Sequence, residues 1–385
     1  MPSFDPLALT RDLVRADSRN PDLIPGAPGE AGAAAVLRAA LEEWGFRVEV
    51  QEAAPGRPNV IARIGGGRRG RSLMLNGHLD TVGIEGMTHD ALGAEVRDGR
   101  LYGRGATDMK AGVAAMCAAA ARAAARGALA GEVIVAAVAD EEYESVGTRA
   151  LIAAGVRADA AVVTEPTRLA LCPAHRGFAW LTVTVHGRAA HGSRYDIGVD
   201  AIRLTGLLLA ELDVLERDVL PTRVHPLLGR ASMHASTIEG GIGMSTYPDR
   251  CVLKLERRTV PGESAADFER EVRQACERVR ARRPELRASV EPGFAQGPSD
   301  VAPDAPVMEA LRAALTSAGE PVRIEGMPAW TDAALLNDAG IPAVCFGPGD
   351  IALAHAAEEY VAVAEIERAT EVLEGMIGKW CGGAA

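Results

Sequence analysis

The sequence predicts an α/β protein in which a mixed sheet with helices on both faces is interrupted by a smaller, inserted α+β domain of split βαβ, ferredoxin-like order. Three observations predict it. Apolar runs of strand length alternate with helical stretches up to Arg176 and Gly177, a β-α-β-β-α-β order follows from Phe178 to about Phe294, and the first style then resumes. A length of 385 residues agrees, since it exceeds what one core usually supports. The predicted division is 1–177 with 295–385 for a discontinuous first domain and 178–294 for the insert.

The amino-terminal MPSFDPLALTRDLVRAD has amphipathic helical spacing, and residues 29–45 (GEAGAAAVLRAALEEWG) read as a helix ending at Gly45. The β-branched run 58–64, then GGGRRG and SLMLNG, read most simply as a hairpin followed by a buried strand. The Ala-rich stretch 109–127 is a strong helix former with Gly127 at its end, and EVIVAAVA at 132–139 is a fully apolar strand, so the two make a βαβ-like unit. The insert reads as a strand (FAWLTVTVHG), a helix (199–217), strands near 231–239 and at CVLKLERR, a helix (264–282) and a strand (ASVEPG). Beyond it come a helix at 304–318, a strand at 322–326, the strand IPAVCFG and a last helix from 363, with no tandem repeat or low-complexity linker.

Composition narrows the function classes. A net charge of −11 without a basic stripe argues against nucleic acid and anionic membrane surfaces, which favours a small-molecule substrate. The amino terminus has no apolar signal core and no run reaches membrane-spanning length, so a cytoplasmic protein is expected. Cys117, Cys172, Cys251, Cys276, Cys345 and Cys381 form no CxxC pair and sit in apolar contexts, which suits buried thiols better than catalytic ones.

Ligand-type side chains recur just past apolar runs: His78 and Asp80, Asp108, Glu141 and Glu142, Glu165, then His355. In NGHLDTV, residues two apart at a strand end point to one side, so Asp80 can orient the His78 imidazole while its other nitrogen meets a metal; a plain His–Asp contact in a turn is the alternative. Asp108 ends the Gly-rich turn of YGRGATDMKAG. It stands where a dinucleotide loop needs its third glycine and would repel a pyrophosphate; helix N-capping is its other reading. In VADEEYESVG, Asp140, Glu141 and Glu142 follow a buried strand, where one glutamate can coordinate while its neighbour serves as general base; a solvated acidic loop is the alternative. Pro166 biases Glu165 to an extended strand end. His355 follows a Gly-Pro-Gly loop whose backbone can approach a ligand closely.

HLDTV, YGRGATDMKAG, DEEYESVGT, TEP, GRAAHGS, LERRTVPGE, WTDAALLNDAGIPAVCFGPG and AHAAEEYV together resemble the signature blocks of the dinuclear zinc amidohydrolases that include acetylornithine deacetylase, succinyl-diaminopimelate desuccinylase, carboxypeptidase G and aminoacylase, over nearly the whole chain. The resemblance implies that Asp108 bridges two metals, with His78 and Glu165 completing one site and Glu142 and His355 the other. It implies Glu141 as general base for a hydroxide bridging the metals, and Asp80 as the partner of His78. The insert then corresponds to a lid. His191 matches the histidine that stabilises the tetrahedral intermediate, in dimeric members from the partner subunit, and Arg258 matches an arginine associated with the substrate carboxylate, an ordinary surface ion pair being its other reading. Two blocks depart from the family pattern: MSTYPDRC stands where an NVVPD-like block is common, and PAWTDAA replaces a glycine-rich version.

The reading is a metal-dependent amidohydrolase removing an acyl group from an N-acyl amino acid, acetylornithine deacetylase-like, with two Zn2+ per subunit that Co2+ or Mn2+ can replace. A homodimer through the lid domain is expected. The alternatives are a metallo-dipeptidase or carboxypeptidase acting on a short peptide, an N-carbamoyl amino acid hydrolase and, from another class, an inactive metal-binding scaffold.

Overall fold

In a computed structural model, which describes residues 4–66, 70–127 and 129–382, the chain folds as two compact units. The first comprises residues up to Ala174, Val301–Met327 and Thr331 onward; the second runs from His175 to Asp300 and takes in Pro328–Trp330, against the 178–294 read from the sequence.

The first unit is built on a mixed sheet of strand order Arg47–Ala54, Arg57–Gly65, Glu132–Val138, Leu73–His78, Ala160–Val163, Ala343–Cys345 and Leu171–His175. Its four central strands, Glu132–Val138 through Ala343–Cys345, run parallel and are buried on both faces, which their continuous Val/Ala/Leu composition suits. Their carboxyl ends therefore point one way. The βαβ unit is present: Leu73–His78 and Glu132–Val138 are parallel neighbours joined across the helix Ala111–Arg126. Twelve of that helix's residues are buried, mostly alanines, so methyl-sized side chains let it lie closely among the elements around it.

The hairpin differs from the sequence reading. Arg57–Gly65 pairs antiparallel with Arg47–Ala54 on its amino-terminal side, and Glu132–Val138 lies between it and Leu73–His78. Pro55-Gly56 supplies the turn, with Gly56 at φ +74°, whereas GGGRRG falls partly outside the described residues. A small sheet of Glu95–Arg97, Arg100–Tyr102 and Tyr360–Ala362 was not anticipated, because three-residue strands carry no readable period. The amino-terminal helix starts at Pro6, where Asp5 caps it by accepting from the Leu7 and Ala8 N–H groups at 2.9 and 3.1 Å.

The second unit is an antiparallel sheet of order Ser232–Gly240, Arg250–Thr259, Gly177–His186 and Arg287–Gln296, with helices Ala201–Val214 and Ala265–Arg282. Ala179, Leu181, Val183 and Val185 alternate along the Gly177–His186 strand to enter a core with Leu204, Leu208, Phe268 and Val272. Ser264 and Asp267 close a capping box at the start of the second helix. Phe268 is fully buried there, so Phe268→Ala should destabilise the unit by about 3–5 kcal/mol, read as a lower denaturation midpoint.

All six cysteines are buried free thiols. No helix among the described residues is long and apolar enough to cross a membrane.

Candidate metal centre

The carboxyl ends of the parallel strands deliver the predicted side chains to one place. His78 ends its strand, Glu141 and Glu142 follow Glu132–Val138, and Glu165 follows Ala160–Val163. Asp108 comes from the turn Ala106–Lys110 before the central helix, and His355 from the loop after Ile351–Leu353. Two triads result, His78–Asp108–Glu165 and Asp108–Glu142–His355, each with ligand atoms within 4.8 Å of one another. Asp108 belongs to both. Its Oδ1 lies 3.1 Å from His78 Nε2 and its Oδ2 3.4 Å from His355 Nε2, while Glu142 Oε2 is 3.0 Å from His355 Nε2. Helix capping is not the role of Asp108: the helix begins at Ala111 and has no side-chain cap.

Asp80 is fully buried and accepts hydrogen bonds from the backbone N–H groups of Glu141 and Glu142 at 3.1 and 3.2 Å and from Asn20 Nδ2 at 2.9 Å. It thereby fixes the turn that aims both glutamates. The Nδ1 of His78 lies 3.0 Å from the Asp80 backbone carbonyl and 3.5 Å from its Oδ1, so the backbone oxygen is the nearer partner holding the ring. Glu141 Oε2 approaches His78 Nε2 at 3.9 Å yet belongs to neither triad.

The electrostatics are those of a carboxylate cluster short of positive charge. Burial first, and then Glu165, pushes Glu141 well above the ordinary carboxylate range; burial and then Asp108 do the same to Glu165 and raise Glu142. Burial also opposes the charge on Asp108, but hydrogen bonds with His355 and His78 outweigh it and hold this carboxyl low. Hydrogen bonding to Asp108 and Glu142 raises His355 to about 10. On His78, burial is overcome by Asp108 and Asp80, which lift it well above its ordinary value. Two imidazoles cannot compensate four carboxylates, so the donor set fits divalent cations.

Several supporting residues were given no role by the sequence reading. Glu359, buried beside the strand Tyr360–Ala362, accepts from the Thr107 and Asp108 N–H groups at 3.0 and 3.2 Å and pairs with Arg104 at 2.5 Å, which anchors the turn bearing Asp108. Asp332 accepts from Thr148 Oγ1 at 2.6 Å, and burial raises it to about 6. Asp140 bonds Asn20 Nδ2 at 2.9 Å and Arg57 Nη2 at 3.1 Å, and Arg57 also binds the buried Glu30. Losing Arg57 would strand two buried carboxylates, so Arg57→Ala should cost about 3–5 kcal/mol in urea denaturation. The Gly-Pro-Gly loop packs tightly against protein: a Cβ on Gly347 would meet the Thr164 carbonyl at 2.4 Å, and one on Gly349 would meet Thr107 Oγ1 at 2.2 Å.

The remaining two predicted residues lie in the second unit. His191 is exposed, with Nδ1 2.8 Å from Ser193 Oγ. Arg258 pairs with Glu256 and lies over the Phe178 ring, 5.5 Å from its centroid.

Fold and site together define a metal-dependent hydrolase of amide bonds. The chain belongs to peptidase family M20/M25/M40, whose model matches residues 74–379. It is 33% identical over 360 residues to acetylornithine deacetylase of Myxococcus xanthus, covering 90% of this chain and 91% of that protein. It is 30% identical over 410 residues to N-formyl-4-amino-5-aminomethyl-2-methylpyrimidine deformylase of Halalkalibacterium halodurans, covering 97% and 94%. A dinuclear metal-binding peptidase of the M20 family from Bacillus subtilis has the same fold, with a TM-score of 0.74, 18% identity and coverage of 97% of each chain.

Proposed function

We propose that the protein hydrolyses the amide bond of an N-acyl amino acid, releasing a small carboxylic acid and the free amine. The observation that carries this reading is the position of Glu141: its side chain only 11% exposed, 3.9 Å from His78 Nε2, and outside both ligand triads, so its carboxylate is left for proton transfer. His78, Asp108 and Glu165 would hold one divalent cation and Asp108, Glu142 and His355 a second, zinc being favoured by a set of N and O donors without thiolate and cobalt or manganese being able to replace it. Such cations, when bound, make water more acidic and polarise the scissile carbonyl.

Glu141 takes a proton from the attacking water as the C–O bond forms and returns it to the nitrogen as the C–N bond breaks. Asp80 keeps Glu141 and His78 aimed through the Glu141 backbone N–H and the His78 Nδ1 side. Acetyl and formyl, the groups that name the two relatives, are both small acyl groups, which supports deacylation over cleavage of long peptides. Arg258 is the candidate for the substrate carboxylate, and the cytoplasm is the proposed compartment. Hydrolysis of a panel of N-acetyl, N-formyl and N-carbamoyl amino acids and dipeptides by zinc- or cobalt-loaded protein tests the reading. Turnover confined to dipeptides or N-carbamoyl compounds would overturn deacylation in favour of those chemistries, and no turnover would leave a metal-binding scaffold.

We also propose a homodimer through the second unit, where the edge strand Ser232–Gly240 is exposed over most of its length. His191 would then donate to the oxyanion from the partner subunit. His191→Ala should keep fold and metal but lose about 10²-fold in kcat. Heterodimers with Glu141→Gln subunits should regain part of the activity, since one site of each pair carries both native groups. A monomer by light scattering, or no recovery from verified heterodimers, would exclude action across the dimer.

A further inference from the structure

Of the five candidate ligands, His355 is the one that packing does not place. Its side chain is 51% exposed, against 1% for His78, 9% for Asp108 and 7% for Glu142. Its backbone lies at φ +60°, in the left-handed region that residues other than glycine seldom adopt. None of residues 351–358 is buried, and Glu359 is the first that is. Contacts from outside this loop must therefore hold His355 where it can share an ion with Asp108 and Glu142.

Arg104 supplies those contacts. It is buried two residues before the turn that carries Asp108, and each nitrogen of its guanidinium reaches a different acceptor. Nε donates to the Gly83 carbonyl at 2.8 Å, Nη1 to Glu359 Oε2 at 2.5 Å and Nη2 to the carbonyl of Ala356, next to His355, at 3.4 Å. The Arg104 N–H donates to the Ala91 carbonyl at 2.8 Å, so this residue ties down both ends of the segment 83–91. That segment closes a ring, because Thr88 donates from its N–H and Oγ1 to the Ala357 carbonyl at 2.9 and 3.3 Å. The Gly103 N–H completes it, donating to the Glu359 carbonyl at 3.2 Å. A planar fork with donors fixed in three directions can make this clamp, whereas the point charge of a lysine can keep Glu359 paired without reaching every acceptor. Other ligands are placed independently: His78 ends a strand paired with Glu132–Val138, and the Glu142 N–H is held by Asp80.

We propose that Arg104 is a positioning residue for the second cation: it clamps the His355 loop to the Asp108 turn and so preforms the Asp108–Glu142–His355 site, while the His78–Asp108–Glu165 site stands without it. This rests on the two-cation reading above and makes the two sites unequal in what builds them. It also gives a role to the arginine of YGRGATDMKAG and to the second glutamate of AHAAEEYV. Arg104→Lys is the variant to make, because it leaves the buried Glu359 with a cation to pair with and lets Glu359 Oε1 keep its bonds to the Thr107 and Asp108 N–H groups.

Zinc would be titrated calorimetrically into metal-free parent, Arg104→Lys, His355→Ala and the double variant. The parent should take up two ions. Arg104→Lys should hold the first as the parent does and bind the second about 10- to 100-fold more weakly, the scale for loss of an outer partner of a metal ligand. In His355→Ala protein, adding Arg104→Lys should change nothing further, since the site it serves is already gone. Equal weakening of both ions, an unchanged second ion, or a further loss in the double variant would overturn the proposal. Hydrogen exchange on metal-free protein tests the clamp without any ion. The Thr88 and Gly103 amides should exchange about tenfold faster in Arg104→Lys, while those of the helix Ala201–Val214 keep the parent's rate. Unchanged exchange at Thr88 and Gly103 would reject the clamp. A parent that binds only one zinc ion is a different result: it overturns the two-cation reading, and the second-cation role with it, whatever the amides show.

Discussion

Exhaustive chelation should abolish hydrolysis, and stoichiometric return of zinc or cobalt should restore it. The expectation follows from the charge count at the strand ends, where, among the described residues, Asp108, Glu141, Glu142 and Glu165 gather around the two imidazoles of His78 and His355. Without cations, burial favours protons on Glu141, Glu142 and Glu165, which is the state least able to accept a proton from water. Metal ions must displace those protons and the one on His355, so affinity should strengthen as pH rises, measurable by titration at two pH values. Removal should also lower thermal stability, because a ligand at about 1,000 times its Kd contributes about 4 kcal/mol to the folded state. Full activity in verified metal-free protein would refute the proposed function.

The parts of this molecule that were legible in its sequence are those with a long period or a strong local rule. The parallel strands read as continuous apolar runs, the Ala-rich helix read from propensity, and the ligands stood where apolar runs end. The β-α-β-β-α-β order of the second unit was equally readable, because its strands reach nine or ten residues. What escaped was placed by pairing across long separations. Glu359 holds the Asp108 turn from about 250 residues away, and Arg57 gathers Asp22, Glu30 and Asp140 from three segments; nothing in their local sequence assigns those partners. The strand order failed at one point for the same reason. Nothing local to residues 58–64 says that Glu132–Val138 will lie beside them.

Substituting the two adjacent glutamates should separate chemistry from metal binding. Their carboxylates share one turn, both N–H groups held by Asp80, yet only Glu142 lies in a ligand triad, with Oε2 3.0 Å from His355 Nε2. Glu141→Gln keeps side-chain volume and removes only the proton-accepting charge. It should retain both metals and lower kcat by about 10² to 10⁴-fold, the range for loss of a general base, with little change in KM. Glu142→Ala removes a ligand instead, so one metal should be lost or weakly held and activity should return in part at high zinc. The single charge lost in Glu141→Gln also relieves repulsion with Glu165, which burial makes strong, so the variant should be no less stable than the parent to urea. Metal content by atomic spectroscopy beside kcat decides between the roles. Equal metal loss in both variants, or a Glu141→Gln rate within about tenfold of the parent, would mean that the proton is carried by another group.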